Sequence, residues 1–137
     1  MTAQKGKDLL LKLDRTGEGS FITVAGLRSR AISFNARAVD VTHAESAGHW
    51  RELLEGAGVR SAAITGRGIF RDASSDESVR STFFAGSIRN WQVVIPSFGT
   101  VSGPFQITAL EFAGDHDGEV TFDLALESAG EISFTAA

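Results

Sequence analysis

Residues 120–126 read VTFDLAL, with Val120, Phe122, Leu124 and Leu126 on one side of a two-residue period and Thr121, Asp123 and Ala125 on the other. That alternation suits a half-buried strand and no helix. Its surroundings repeat the theme. FQITALEF (105–112) alternates and changes face near Ala109, GDHDG (114–118) and SAG (128–130) are turns, and EISFT (131–135) follows. Three such segments predict a meander of antiparallel strands. Fifteen glycines, ten phenylalanines and only two prolines extend the β reading upstream. Further strands are predicted at 9–14, 21–27, 32–41, 59–70 and 90–95, with a phase shift at Val39 read as a bulge.

Two segments break the period. In 44–55, Ala47, Trp50, Leu53 or Leu54, and Ala57 recur at helical spacing. Thr42 and Glu45 before them fit a capping box, Gly56 a C-terminal stop, and Arg51 with Glu55 a helix-surface ion pair. SSDESVRSTFFA (74–85) predicts a second, weaker helix, capped by Ser74 and Glu77 and diluted by serines and a threonine. The expectation is a mainly β chain, a sandwich or barrel with helices on its flank. At 137 residues it is read as one domain over 1–137, with polar residues 1–7 as an N-terminal arm that orders on assembly.

Residues 40–54 (DVTHAESAGHWRELL) look catalytic, holding His43, His49, Ser46 and three carboxylates. The chemistry fails on spacing. His43 and His49 are six apart, so a helix puts them on opposed sides, and Asp40 with His43 gives too few ligands for a metal. Ser46 lacks the Gly-x-Ser-x-Gly elbow. GAGVRSAAITGRG (56–68) lacks the P-loop lysine and the dinucleotide spacing. Nothing marks a pair of carboxylates for glycoside chemistry. With no cysteine, disulfides, thiolate chemistry and cysteine-zinc sites are excluded. No enzyme, metal or cofactor is therefore expected. No apolar run approaches the roughly 18 residues of a membrane span, and the short run around Leu9–Leu11 makes no secretory signal, so synthesis in the cytoplasm is expected.

Charge is uneven. Residues 1–72 carry eleven Lys or Arg against eight Asp or Glu, and residues 73–137 carry two against nine. With a pI near 5.3 and scattered arginines, a nucleic-acid binding patch is not expected. No tyrosine and two tryptophans argue against a carbohydrate-binding surface.

Taken in order, GLRSRAISFNARAVDVTHAESAGHWRELLEGAGVRSAAITGRGIF, NWQVVIP and GPFQITALEFAGDHDGEVTFDLALESAGEISF resemble the major tail protein family of long, flexible-tailed bacteriophages. The pattern runs from about residue 7 to residue 135. Its most specific pieces are VDVTHAESAGHWREL (39–53), GVRSAAITGRGIF (58–70) and LESAGEISFTA (126–136). Relatives also occur in phage-derived gene transfer agents. The resemblance implies two packed antiparallel sheets with a flanking helix, and a structural, non-catalytic protein of the particle's tail. Six copies would form a ring, one sheet of each joining a continuous inner barrel. Rings would stack into a tube holding the tape measure protein and later conducting double-stranded DNA. Tail terminator and distal tail proteins would be its neighbours. A terminator or secretion-type ring protein with the same fold is the alternative, and a carbohydrate-binding sandwich a more distant one.

The resemblance gives the charges a use. A conduit lined with acids repels DNA and keeps transit fast. Glu111 and Asp123, both mid-strand, are the leading candidates to face the lumen, followed by Asp115, Asp117 and Glu119. Arg28, Arg30, Arg60, Arg67 and Arg71 are candidates for contacts between subunits, with Trp50 and Arg51 beside them. Trp50 is expected to pack, so that alanine there would prevent folding or tube assembly.

Overall fold

The computed structural model describes residues 9–14, 19–56, 58–70, 74–114, 116 and 118–136. Eight strands and one α-helix follow in the order β1 (Leu10–Asp14), β2 (Phe21–Thr23), β3 (Leu27–Ala36), β4 (Arg60–Ile69), α1 (Ser74–Ala85), β5 (Ile88–Ile95), β6 (Gly99–Gly114), β7 (Val120–Ser128) and β8 (Ser133–Ala136). All pairings are antiparallel, in the order β2-β1-β5-β6-β7-β4-β3, with β8 also on β6.

The 16-residue β6 makes two layers from one ladder. Residues 99–106 pair with β5, and residues 105–114 pair with β7. Between Ile107 and Ala109 the register shifts, at the position where the sequence changes face. The two halves close on a shared core. Leu11, Leu13, Trp91, Val93, Val101 and Phe105 come from one half, and Ala62, Ile64, Ile107, Phe122, Leu124 and Leu126 from the other. Each alternating strand buries its apolar side and leaves the other partly exposed, as in residues 122–126 of β7. The C-terminal segments differ from the predicted meander in one respect. β8 does not lie beside β7; it returns to β6 and pairs with residues 99–102, along the edge that β7 leaves free.

Close backbone approach sets one position in β4. A Cβ on Gly68 would overlap the carbonyl oxygen of Gly26 and lie 2.7 Å from Leu27 Cα. Gly26 O also accepts the Ile69 N–H at 2.9 Å. Gly68→Ala should therefore cost about 1–3 kcal/mol through overpacking, read as a lower denaturation midpoint with an unchanged m-value.

The helices need correction. The predicted helix at 44–55 is not formed; only a 3₁₀ turn spans Ala47–His49. Gly48 (φ +61°) and His49 (φ +59°) occupy the left-handed region, which ends any helix there. Thr42 and Glu45 do not form the capping box. Thr42 Oγ1 instead accepts the Glu52 N–H at 2.8 Å, and Glu45 N–H donates to His43 Nδ1 at 3.2 Å. Arg51 and Glu55 thus lose the helix that would pair them. The segment is an irregular hairpin that carries the β3–β4 pairing past the sheet, through Arg37 N–H to Val59 O, Leu54 N–H to Val39 O, and Val41 N–H to Glu52 O. The phase shift at Val39 is accordingly the end of a strand, since β3 stops at Ala36.

The helix that forms is α1. Three of its hydroxyls, which weaken an isolated helix, are bonded, two within the helix and one to the chain before β3. Ser78 Oγ donates to Ser74 O, Thr82 Oγ1 donates to Ser78 O, and Ser75 Oγ accepts the Ala25 N–H. Val79 anchors it to the core.

Candidate functional site: an open sheet face and a projecting hairpin

Strands β3, β4, β7 and β6 bury one face and expose the other. Register defines three rows across the exposed face. They are Ser33–Ala63–Glu127–Gln106, Ala31–Thr65–Ala125–Ala109 and Ser29–Arg67–Asp123–Glu111. Alanine is the only apolar side chain in these rows. One cation and three carboxylates supply the charge. Rows this free of large apolar groups do not pack on another protein as a core would; Ile69, half-buried, follows them at the end of β4 beside Thr121.

Glu111 and Asp123, the leading lumen candidates, are direct cross-strand neighbours on this face. Arg67 joins them. Its Nε donates to Asp123 Oδ1 at 2.6 Å, and that bond, reinforced by charge, raises the guanidinium pKa above its ordinary value. Arg67, a candidate for contacts between subunits, thus has an acidic partner within its own chain. Glu119 lies off the rows and meets Arg28 at 3.5 Å. Asp115, Asp117, Arg71 and residues 1–7 lie outside the described residues. Arg30 follows Ser29 on β3 and is half-buried, while Arg60 stands exposed at the start of β4.

Both margins of this half-sheet are open among the described residues. β3 has β4 on one side only, and β6 beyond residue 107 has β7 on one side only. Unpaired edges this long, in a sheet with one exposed face, are ready to accept strands.

The hairpin at 37–59 is the second feature. Asp40 Oδ1 accepts the Thr42 N–H at 2.8 Å, and bonding to Thr42 holds the Asp40 carboxyl below its ordinary value. Ser46 Oγ accepts the His43 N–H at 3.0 Å, and His43 Nε2 lies 3.7 Å from Glu52 Oε2. The suspected catalytic letters are thus turn-forming groups. Trp50, expected as a packing anchor, is 77% exposed, and Val41, Leu53, Leu54 and Val59 are exposed around it. Arg51 is exposed beside Trp50. Sequence reasoning missed this hairpin because its apolar letters fit helical spacing; the glycine at 48 was the contrary signal.

Among the described residues, no group of three or more His, Asp or Glu is placed to hold a metal ion. No helix there is long and apolar enough to cross a membrane.

Similar proteins share both the fold and the sequence. A chain from the tail of an empty gene transfer agent particle, solved with C6 symmetry, is 60% identical, with a TM-score of 0.94 over 98% of this chain and 100% of that one. A chain from the virion of a native gene transfer agent particle is 58% identical, with a TM-score of 0.91 over the same shares. The SPP1 tail tube shares the fold at 14% identity, with a TM-score of 0.76 over 98% of this chain and 80% of that one. Among curated proteins, none matches the chain. The family model for phage tail tube proteins matches residues 3–134. The chain belongs to the phage tail tube protein family.

Proposed function

We propose that six copies of this chain close into a ring, that the rings stack into the hollow tail tube of a phage or gene transfer agent particle, and that the tube conducts double-stranded DNA. The observation that carries this reading is the β3-β4-β7-β6 face, small-residued, carboxylate-bearing and open at both margins. Pairing β3 of one subunit with the free part of β6 in the next would close six four-stranded faces into one barrel, and ring closure removes the edges. The role is structural, without a catalytic step. The chain acts as one tail tube domain over 1–137. Tape measure, tail terminator and distal tail proteins are its partners by the same reading.

Surface area supports assembly. The chain exposes 9245 Å², against about 7,000 Å² for a monomeric protein of 14.5 kDa. Exposed apolar groups such as Trp50, Phe84, Phe98 and Phe134 add to the excess. Electron microscopy of concentrated protein tests the reading. Six-fold rings and tubes are expected; rings that never stack would indicate a terminator, and a persistent monomer would overturn it.

With the face turned inward, Glu111 and Asp123 line the lumen. Arg67 tempers them, so the wall is weakly repulsive and not adhesive. Glu111→Arg with Asp123→Arg should turn the conduit into a DNA trap. Tubes of this variant should retain double-stranded DNA with an affinity that falls steeply with salt, by a slope of about −0.9 per neutralised phosphate. Unsubstituted tubes should retain none, and equal retention by both would remove the acids from the lumen.

A further inference from the structure

We propose that the groove between α1 and the free edge of β6 is a socket for Ile32 and Phe34 of the neighbouring subunit in the same ring, and that β5 sets the register at which they enter. The inference rests on the ring reading and adds the side chains and the register of its junction.

Backbone phase limits the ways the two edges can meet. Arg37 N–H bonds to Val59 O, so odd-numbered residues of β3 face β4 and even-numbered ones face the open edge. Phe70 N–H bonds to Val120 O, so even-numbered residues of β7 face β4 and odd-numbered ones face β6. Asp123 is opposite Glu111 and Thr121 opposite Ala113, which leaves Leu110, Phe112 and Gly114 to the free edge of β6. Strand directions alternate across the sheet, so the next subunit's β3 meets β6 antiparallel, even residues against even residues. Those residues also carry the core-side groups of both strands, Arg30, Ile32 and Phe34 on β3, and Leu110 and Phe112 on β6.

β5 then selects one register. It occupies the same side of β6 as far as Gln106, where Ile88 lies. β3 runs to Ala36, so an incoming β3 clears Ile88 only with Ala36 opposite Thr108 or further along. Thr108 keeps the most of β3 in use. It sets Phe34 opposite Leu110, Ile32 opposite Phe112 and Arg30 opposite Gly114. Within one subunit Ala31 is level with Ala109; in this register the neighbour's Ala31 faces Ala113, a displacement of four residues across four strands. One residue per strand is the stagger of closed barrels whose strands tilt by about 36°.

The side chains then have a place to go. The groove occupies about 520 Å³ and is lined by Phe70, Phe112 and Val120, with Asp76, Glu77 and Arg80 from α1. From there α1 runs beside β6 and ends at Ala85, shortly before Ile88. Phe84, one turn beyond Arg80, is 78% exposed, Phe34 60% and Phe112 46%. In the selected register Ile32 enters the groove against Phe112, and Phe34 lies between Leu110 and Phe84. Exposed apolar groups of both subunits are covered by one contact. Charge agrees. β3 carries Arg28 and Arg30 and no acid, while the groove holds two carboxylates and one cation. Arg30 arrives at Gly114, whose partner Val120 is a wall of the groove.

The chain has no cysteine, so cross-linking reads the register directly. Ala31→Cys/Ala113→Cys protein is assembled and oxidised. Within one subunit the two positions are three strands apart, about 14 Å, beyond the reach of a disulfide. A covalent hexamer is expected. Ser29→Cys/Ala113→Cys and Ser33→Cys/Ala113→Cys, each two residues out of register, should give at least about tenfold less of it. Phe34→Ala and Phe84→Ala should both fold, and each should raise the concentration needed for rings about tenfold. The double variant should be little worse than either, because both remove the same contact. Six-fold rings that cross-link at a shifted pair or at none, or Phe34→Ala rings at the unsubstituted concentration, would overturn the socket and leave the ring reading intact. A Phe34→Ala chain that does not fold would assign Phe34 to its own subunit and also overturn it. Unsubstituted protein that forms no rings would overturn the ring reading itself.

Discussion

Trp91→Ala is expected to unfold the chain. Trp91 is 0% exposed and sits in β5 at the meeting of the two layers, among Leu11, Leu13, Val93 and Phe105. Removing a buried tryptophan side chain costs about 3–5 kcal/mol, against roughly 5–15 kcal/mol for a whole domain. A single subunit with so much exposed apolar surface belongs at the low end of that range. Chemical denaturation should show the loss of the folded baseline. Trp91→Phe separates volume from polarity. The Trp91 Nε1–H is buried without an acceptor among the described residues, so phenylalanine removes an unsatisfied donor along with part of the ring. It should fold with a much smaller loss, and a loss as large as alanine's would contradict the packing account.

Edge pairing gives the second large effect. The Arg37 N–H bonds to Val59 O, which fixes the alternation along β3. Odd-numbered residues from 29 to 37 point their backbone groups at β4, and even-numbered ones point theirs at the open edge. Phe34→Pro therefore removes a donor only from the free edge, where proline is tolerated. Ser33→Pro, one residue away, removes a bond to β4 from the centre of a ladder. Phe34→Pro is expected to give a folded subunit that does not close rings; Ser33→Pro is expected not to fold. Circular dichroism and sedimentation together read the difference. Rings formed normally by Phe34→Pro would show that β3 is not a subunit junction.

Local alternation made much of the β architecture legible. VTFDLAL reads directly as β7, and the change of face near Ala109 is the register shift in β6. The layer arrangement was less accessible, because β8 chooses an edge of β6 that only the completed β6–β7 pairing defines. The helices were ranked the wrong way round. Helical spacing in 44–55 yields to two left-handed residues, Gly48 and His49, whereas the serine-rich segment 74–85 is held by Ser75 bonding to Ala25 and by Val79 in the core. Tertiary partners, invisible to propensity, decide both cases. Glu111 and Asp123 could be proposed as a pair because both fall mid-strand. That Arg67 completes the row required the β4–β7 register, which no local pattern contains.

The central claim is that the β3-β4-β7-β6 face is the wall of a conduit. The most direct measurement is a reconstruction of the assembled protein at a resolution that resolves side chains. It should show six-fold rings with Thr65, Arg67, Glu111, Asp123 and Ala125 facing the lumen, and β3 of one subunit paired with β6 of the next. A tube carrying those five residues on its outer surface would contradict the account.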